Sequence, residues 1–418
     1  MALDPQLLRQ RHREREQRKK ARRKKMLIRI AFAAALLVVC GILIAIFARP
    51  DRTGDLSEPS VSTQPTNPTA APTPTAPKTV IHLAAAGDLN ITNAVVAAGG
   101  SEQDYTNAFL DVAHLLAGAD AAFLNFEGNL CEAPYGDTRS APQNLVQALA
   151  NAGVDFLQLA NSYSINFGMS GLSTTIDRVR SAGMEPLGVY ANQASYNAEK
   201  GYTIRDIQGV KVAFVAFTKG MDGLALPVGN ENCVNILYSD YSTTYQEINE
   251  EKITAVLKAA EKEKPDITVA LLHWGSEYND TVSKSQEEVR DLLLENGVDA
   301  IIGTHSHYLQ KMEFDPQAGT FVAYSLGDFF GDANGSSAYS VILDLEITKD
   351  NTTGETKITG YSYTPIFTVA EKDKPLRVVR IHEAITAYEA YYIDRVSETS
   401  YNAMKNALQR IPARIKGE

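Results

Sequence analysis

Ile301-Ile302-Gly303-Thr304-His305-Ser306-His307 reads as an apolar strand, a glycine that ends it, and two histidines separated by one residue. The same order recurs upstream, where the apolar run 267–272 stops at His273-Trp274-Gly275. Three of the seven histidines therefore stand where strands stop. Open α/β sheets build their sites at the carboxyl ends of strands, and neutral imidazole is a common metal ligand.

Outward from this stretch the pattern repeats. Residues 80–86 lead to Gly87-Asp88, residues 121–126 to Glu127, and residues 156–160 to Asn161. Each is an apolar run closed by a carboxylate or an amide. Segments 104–117, 142–152, 172–182, 243–262 and 285–296 are amphipathic and read as helices, and 185–189 and 210–217 read as further strands. Such alternation indicates βαβ units and a sheet covered on both faces. Residues 298–302, 321–326, 339–347 and 357–367 alternate with period two in places and suggest an antiparallel second part. Residues 383–408 read as one closing helix, with Tyr388, Tyr391 and Tyr392 as packing residues.

The 418 residues carry a net charge of -10 that conceals an asymmetry. Residues 1–29 hold twelve Lys/Arg against three acids, leaving 28 basic and 47 acidic side chains in the rest. A basic arm can bind nucleic acid, but here it abuts residues 30–48, nineteen uncharged and apolar positions. As a helix that run spans roughly 28 Å, close to the hydrocarbon thickness of a bilayer. The positive-inside rule then puts the N-terminus in the cytoplasm and the remainder outside, in a single-pass arrangement at the cell membrane without a nucleic-acid partner. A cleaved signal peptide, the rival reading, has a short charged region and a core of about 7–15 residues. Residues 49–78 hold seven of the seventeen prolines among Thr, Ser and Ala and read as a tether. Cys40 falls in the apolar run, so only Cys131 and Cys233 could pair outside. The outer part must rest on an ordinary core.

Asp88, Glu127, Asn161, His273, His305 and His307 together make a ligand set suited to Mn, Fe or Zn. A pair of such ions needs about this many donors from several loops, and can activate water and clamp a phosphoryl oxygen. Taken singly, each residue has a plainer reading. Asp88 after Gly87 suits a turn or helix cap, Glu127 an exposed loop, Asn161 a cap, and His273 a hydrogen-bonded core. It is the series, each member at a strand end, that favours a metal site. Trp274, the single tryptophan, is expected to pack in the domain and position the loop of His273.

The motifs resemble the capsule synthesis protein CapA family, also called the poly-gamma-glutamate biosynthesis family, whose fold is related to the calcineurin-like metallophosphatases. The matching stretches are Ala86-Gly87-Asp88, Asn125-Phe126-Glu127, Leu159-Ala160-Asn161 with Phe167-Gly168, His273-Trp274-Gly275 with Glu277-Tyr278, Gly303 to His307 with Gln310, and Tyr324-Ser325-Leu326-Gly327. The resemblance implies a four-layer α/β sandwich of metallophosphatase-like type over residues 79–370, followed by a helical extension, 371–418. It also implies one or two divalent ions on the six residues named, with Asn161, His273 and His305 carrying the reaction as well. A cell-surface polymer, poly-gamma-glutamate or capsular polysaccharide, or its precursor would be the partner, along with a membrane synthase or exporter. The activity would be a metal-dependent hydrolase or transferase. The alternative is a non-catalytic export or assembly component with a degenerate site.

The chain departs from the family pattern at five positions. Ser162-Tyr163 stands where the family reads Asn-His, Asn166 replaces an Asp, Ser306 replaces a Pro, and Asp328 replaces an Asn. A phenol, with its ordinary pKa near 10, shuttles protons poorly at neutral pH. Nothing in the sequence places Asp328 in the cluster.

Overall fold

The computed structural model describes residues 77–392 and 396–418, so the expected basic arm, membrane span and most of the tether lie outside the described residues. Among the described residues no helix is long and apolar enough to cross a membrane. The chain opens with β1 (Lys78–Asn90), three short helices α1 (Asn93–Ala97), α2 (Thr106–Phe109) and α3 (Ala113–Leu116), and β2 (Ala121–Glu127). It continues through α4 (Gln143–Asn151), β3 (Phe156–Gln158), α5 (Gly168–Ser181), β4 (Glu185–Leu187) and α6 (Gln193–Glu199). A hairpin, β5 (Tyr202–Ile207) and β6 (Val210–Thr218), precedes α7 (Glu250–Glu261), β7 (Ile267–His273), α8 (Lys284–Glu295) and β8 (Ala300–Thr304). Then come β9 (Met312–Asp315), β10 (Thr320–Ala323), β11 (Asp328–Phe330), β12 (Tyr339–Asp350), β13 (Thr356–Val369) and β14 (Arg377–Arg380), closed by α9 (Ile381–Glu389) and α10 (Glu398–Lys416).

The strands form two sheets. One runs β14-β13-β12-β1-β2-β3-β4, with β11 also on β1; the other runs β5-β6-β7-β8-β10-β9. Period-two alternation explains how they stack. In β1, Leu83 and Ala85 join Phe123, Phe156, Phe214, Leu271 and Ile302 in a core between the sheets. Ala84 and Ala86 point the other way, into a core made with Leu145 and Val146 of α4 and Leu172 and Ile176 of α5. The outer face of the second sheet, through Val215, Ala270 and Ile301, packs on Ile253 and Val256 of α7 and Val289 and Leu293 of α8. Helices, sheet, sheet and helices thus make four layers of a mixed α/β fold.

Several sequence expectations need correction. The strand at 298–302 does not belong to an antiparallel part: β8 is parallel to both β7 and β10, and β10 is antiparallel only to β9. β12 and β13 are antiparallel, as expected, and with β14 they extend the first sheet beyond β1. The single helix expected at 104–117 is broken into α2 and α3, although Ala108, Phe109, Val112 and Leu116 still reach one core, so the helical period survives the break. The helix expected from 243 starts at Glu250, where the Asn249 side chain accepts from the Lys252 N–H. The closing helix at 383–408 is two helices, and Tyr388 of α9 stacks on Tyr401 of α10 with ring centres 4.3 Å apart. Tyr391 and Tyr392 are exposed. Cys131 and Cys233 are both free thiols.

Candidate metal centre

β2, β7 and β8 are buried along their whole length. Buried parallel strands read as continuous apolar runs, so the polar residues closing β2 and β7, and those just after β8, are exceptions that the fold must accommodate. Strand register brings them together. Parallel pairing sets Asp88 opposite Asn125 and Asn90 opposite Glu127. In the other sheet His273 lies opposite Thr304. Close strand approach depends on glycine: a Cβ on Gly87 would lie 1.8 Å from the Gly327 carbonyl oxygen, and one on Gly303 would lie 2.0 Å from that of Tyr324. Trp274 fills the space beside Gly303, donating from Nε1 to the Tyr324 carbonyl at 2.8 Å, as its packing role requires.

The two histidines after β8 sit on strained backbone, with φ of 88° at His305 and 58° at His307. Side-chain-bearing residues rarely adopt this region. Asp88 holds the turn, its Oδ2 accepting from the His305 N–H at 2.9 Å while its Oδ1 accepts from Asn125 Nδ2 at 2.6 Å. Three residues after His307, Gln310 accepts from Gln286 Nε2 at 3.0 Å and donates to the Asn279 carbonyl at 2.9 Å, tying its segment to the loop before α8.

Five of the six expected ligands converge, and Asp328 joins them. Glu127, His273 and His305 form one buried trio and Asp88, His307 and Asp328 a second, with one ligand atom from each residue within 4.8 Å of its partners. His273 Nε2 is 3.1 Å from Glu127 Oε1. His307 Nδ1 is 2.7 Å from Asp328 Oδ1, and its Nε2, 3.8 Å from Glu127 Oε2, links the trios. Asn161, the sixth, adjoins them through Asn125. Its Oδ1 accepts from the Tyr163 N–H at 3.0 Å, and its Nδ2 donates to Asn125 Oδ1 at 3.1 Å and the Phe126 carbonyl at 2.7 Å. These bonds fix Asn125 and the loop after β3, and leave Oδ1 its second lone pair.

Sequence reading missed Asn125, although it stands two residues before Glu127, on the same strand face. It also missed Ser162 and Thr304, whose hydroxyls lie 3.1 Å and 3.3 Å from the two ring nitrogens of His273. The location of Asp328 follows from β11 pairing with β1, which sets Asp328 directly opposite Asp88.

The electrostatics favour a cation. Burial, then the neighbouring Asp328 among other charges, pushes the Asp88 carboxyl up to about 6. Burial and Asp88 hold Glu127 well above the carboxylate range. Burial also raises Asp328. Burial and neighbouring cationic groups keep His273 and His305 neutral. Burial opposes charging of His307, but Glu127, Asp328 and Asp88 outweigh it and hold the ring protonated. Glu127 Oε2 and His305 Nδ1 are buried with no hydrogen-bond partner. An unpartnered buried polar atom costs about 1–3 kcal/mol. A divalent ion satisfies both atoms and relieves the repulsion among three carboxylates, so the donor set fits one.

Comparison with known proteins adds an independent line. The profile of the bacterial capsule synthesis protein PGA_cap family matches residues 82–333. The chain is 28% identical to the capsule biosynthesis protein CapA of Bacillus anthracis, over 46% of this chain and 44% of that protein. It is 26% identical to the PGA biosynthesis protein CapA of Bacillus subtilis, over 51% and 52% of the two chains. The chain thus spans about half the length of these curated relatives. Among solved structures, a novel phosphatase from Mycoplasma pneumoniae aligns with a TM-score of 0.42 at 13% identity, covering 69% of this chain and 94% of that one. The family match takes in both histidine motifs, both strand-end carboxylates and Asp328, over more than half of the sequence. The chain belongs to the bacterial capsule synthesis protein family.

Proposed function

We propose that this protein is a membrane-anchored, extracytoplasmic component of capsule or poly-gamma-glutamate synthesis whose centre holds two divalent ions and acts as a hydrolase or transferase on the polymer or its precursor. The observation that carries this reading is the pair of buried trios, with Glu127 Oε2 and His305 Nδ1 unpartnered between the sheets. The names of the relatives support the polymer, and residues 30–48 support the anchor. Mn, Fe or Zn suits the mixed imidazole and carboxylate set.

Glu127, His273 and His305 would hold one ion and Asp88, His307 and Asp328 the other. When bound, such ions supply Lewis acidity and lower the pKa of water. The chain's own residues do the positioning. Asn125 donates to Asp88 and is itself held by Asn161, which fixes a carboxylate lone pair. Ser162 and Thr304 fix the ring plane of His273. Tyr278, exposed at the site, lays its ring against His307 at 5.1 Å.

A second reading, a polymer-binding component without turnover, is favoured by Tyr163. Burial, then Glu127, pushes its phenol up to about 12, so it donates a hydrogen bond but holds its proton at neutral pH. The test uses the full chain purified in detergent. Phosphodiesters and gamma-glutamyl oligomers are assayed with each metal restored, in the wild type and in Tyr163→His. Turnover by the wild type supports the first reading. Bound metal with turnover only in Tyr163→His supports the second.

A further inference from the structure

Arg139 is the residue that the metal centre leaves unexplained. It lies on strained backbone, φ 65°, just beyond β2. Its Nη1 donates to Asn90 Oδ1 at 2.6 Å and the Ile91 carbonyl at 2.8 Å, and its guanidinium stacks 4.3 Å from the centre of the Tyr163 ring. Asn129 fastens the two together. Its backbone N–H donates to the Arg139 carbonyl at 2.7 Å and its Nδ2 donates to the Tyr163 carbonyl at 2.8 Å. Among the described residues no carboxylate pairs with Arg139, and its Nε and Nη2 have no hydrogen-bond partner. That free edge is the fork that matches a carboxylate or phosphate bidentately. The charge is felt at Glu127. Lys219, also without a carboxylate partner, adds positive charge near His273 and His305.

We propose that Arg139, held flat on Tyr163, is the seat for an oxyanion of the substrate beside the metal centre. The seat takes its position from the metal-centre reading but does not need the ions to bind an anion. It explains how an acidic domain receives a polyanion: Arg139 and Lys219, neither paired with a carboxylate, offer it cationic contacts beside the centre. It also gives Tyr163 a task. A guanidinium lies favourably on an aromatic face, and a phenol provides a larger one than imidazole.

The test measures binding of a fluorescent gamma-glutamate oligomer to the full chain in detergent by anisotropy, at low and high ionic strength, with metal content measured in parallel. Arg139→Gln is expected to weaken binding by about tenfold or more and flatten its salt dependence, and Arg139→Lys to restore part of it. Tyr163→Phe, which keeps the ring, should bind as wild type, whereas Tyr163→Leu should behave like Arg139→Gln. This pair decides the matter if Arg139→Gln does not fold. Inorganic phosphate that displaces the oligomer marks a seat for either oxyanion; phosphate that fails to displace it marks a seat for carboxylate. A wild type that binds no oligomer, or an Arg139→Gln protein that binds as wild type with the same salt dependence, overturns the proposal. A wild type that is metal-free and cannot be loaded, yet whose oligomer binding still depends on Arg139, sinks the metal centre and leaves the oxyanion seat standing.

Discussion

His307 Nδ1 lies 2.7 Å from Asp328 Oδ1, and both side chains are buried. Asp328 brings a third carboxylate to the centre and completes the second trio with Asp88. Asp328→Asn is expected to weaken binding of one ion by at least about tenfold while the Glu127 trio keeps its own. Titration with Mn or Zn, read by calorimetry, should then show one tight site in place of two.

Metal affinity should depend on pH with a definite sign. The Asp88 carboxyl, raised to about 6, Glu127, held well above the carboxylate range, and the His307 ring, held protonated by its acidic neighbours, must each lose a proton to act as ligands. Affinity is therefore greatest above these values and falls as pH drops through 6. Between pH 7 and pH 5 the apparent affinity should fall by about tenfold or more. Competition against a chelating dye at fixed pH measures it; a flat profile would show that the carboxylates are already ionised without metal.

Trp274→Phe should destabilise the fold by about 2–3 kcal/mol, through the space left beside Gly303 and the unpaired Tyr324 carbonyl. Urea denaturation gives the loss of stability. Because His273 is the adjacent residue, metal affinity should fall as well.

Gly87→Ala should be far more damaging. The added methyl meets the backbone of Gly327 at 1.8 Å, so β11 must separate from β1 and carry Asp328 away from Asp88. A loss beyond about 3 kcal/mol is expected, visible as a lowered melting temperature or insoluble protein. A variant with wild-type melting would show that the strands can part without cost.

The legible part of the site is the part written locally. An apolar run that ends in His273, or in Gly303 before His305 and His307, shows both a strand and its terminal ligands. Asp88 and Glu127 close runs of the same kind. Asp328 could not be read this way, because its place depends on β11 pairing with β1 across most of the domain. Arg139 is invisible for a similar reason: it meets Tyr163 only after the chain has folded back through Asn129. Asn161, a strand-end amide, shows in the structure a tie that the sequence does not, its Nδ2 donating to Asn125 beside Asp88. Helical period likewise cannot report a chain reversal, so α9 and α10 looked like one helix.

The most direct test of the central claim is the metal content of the purified full chain, measured by mass spectrometry before and after reloading, alongside His305→Ala. His305 supplies an unpartnered ring nitrogen to the first trio without holding any other side chain. The expected result is close to two divalent ions per wild-type chain and a clear loss in His305→Ala. A wild type that carries no metal and cannot be loaded, with His305→Ala indistinguishable from it, would contradict the account.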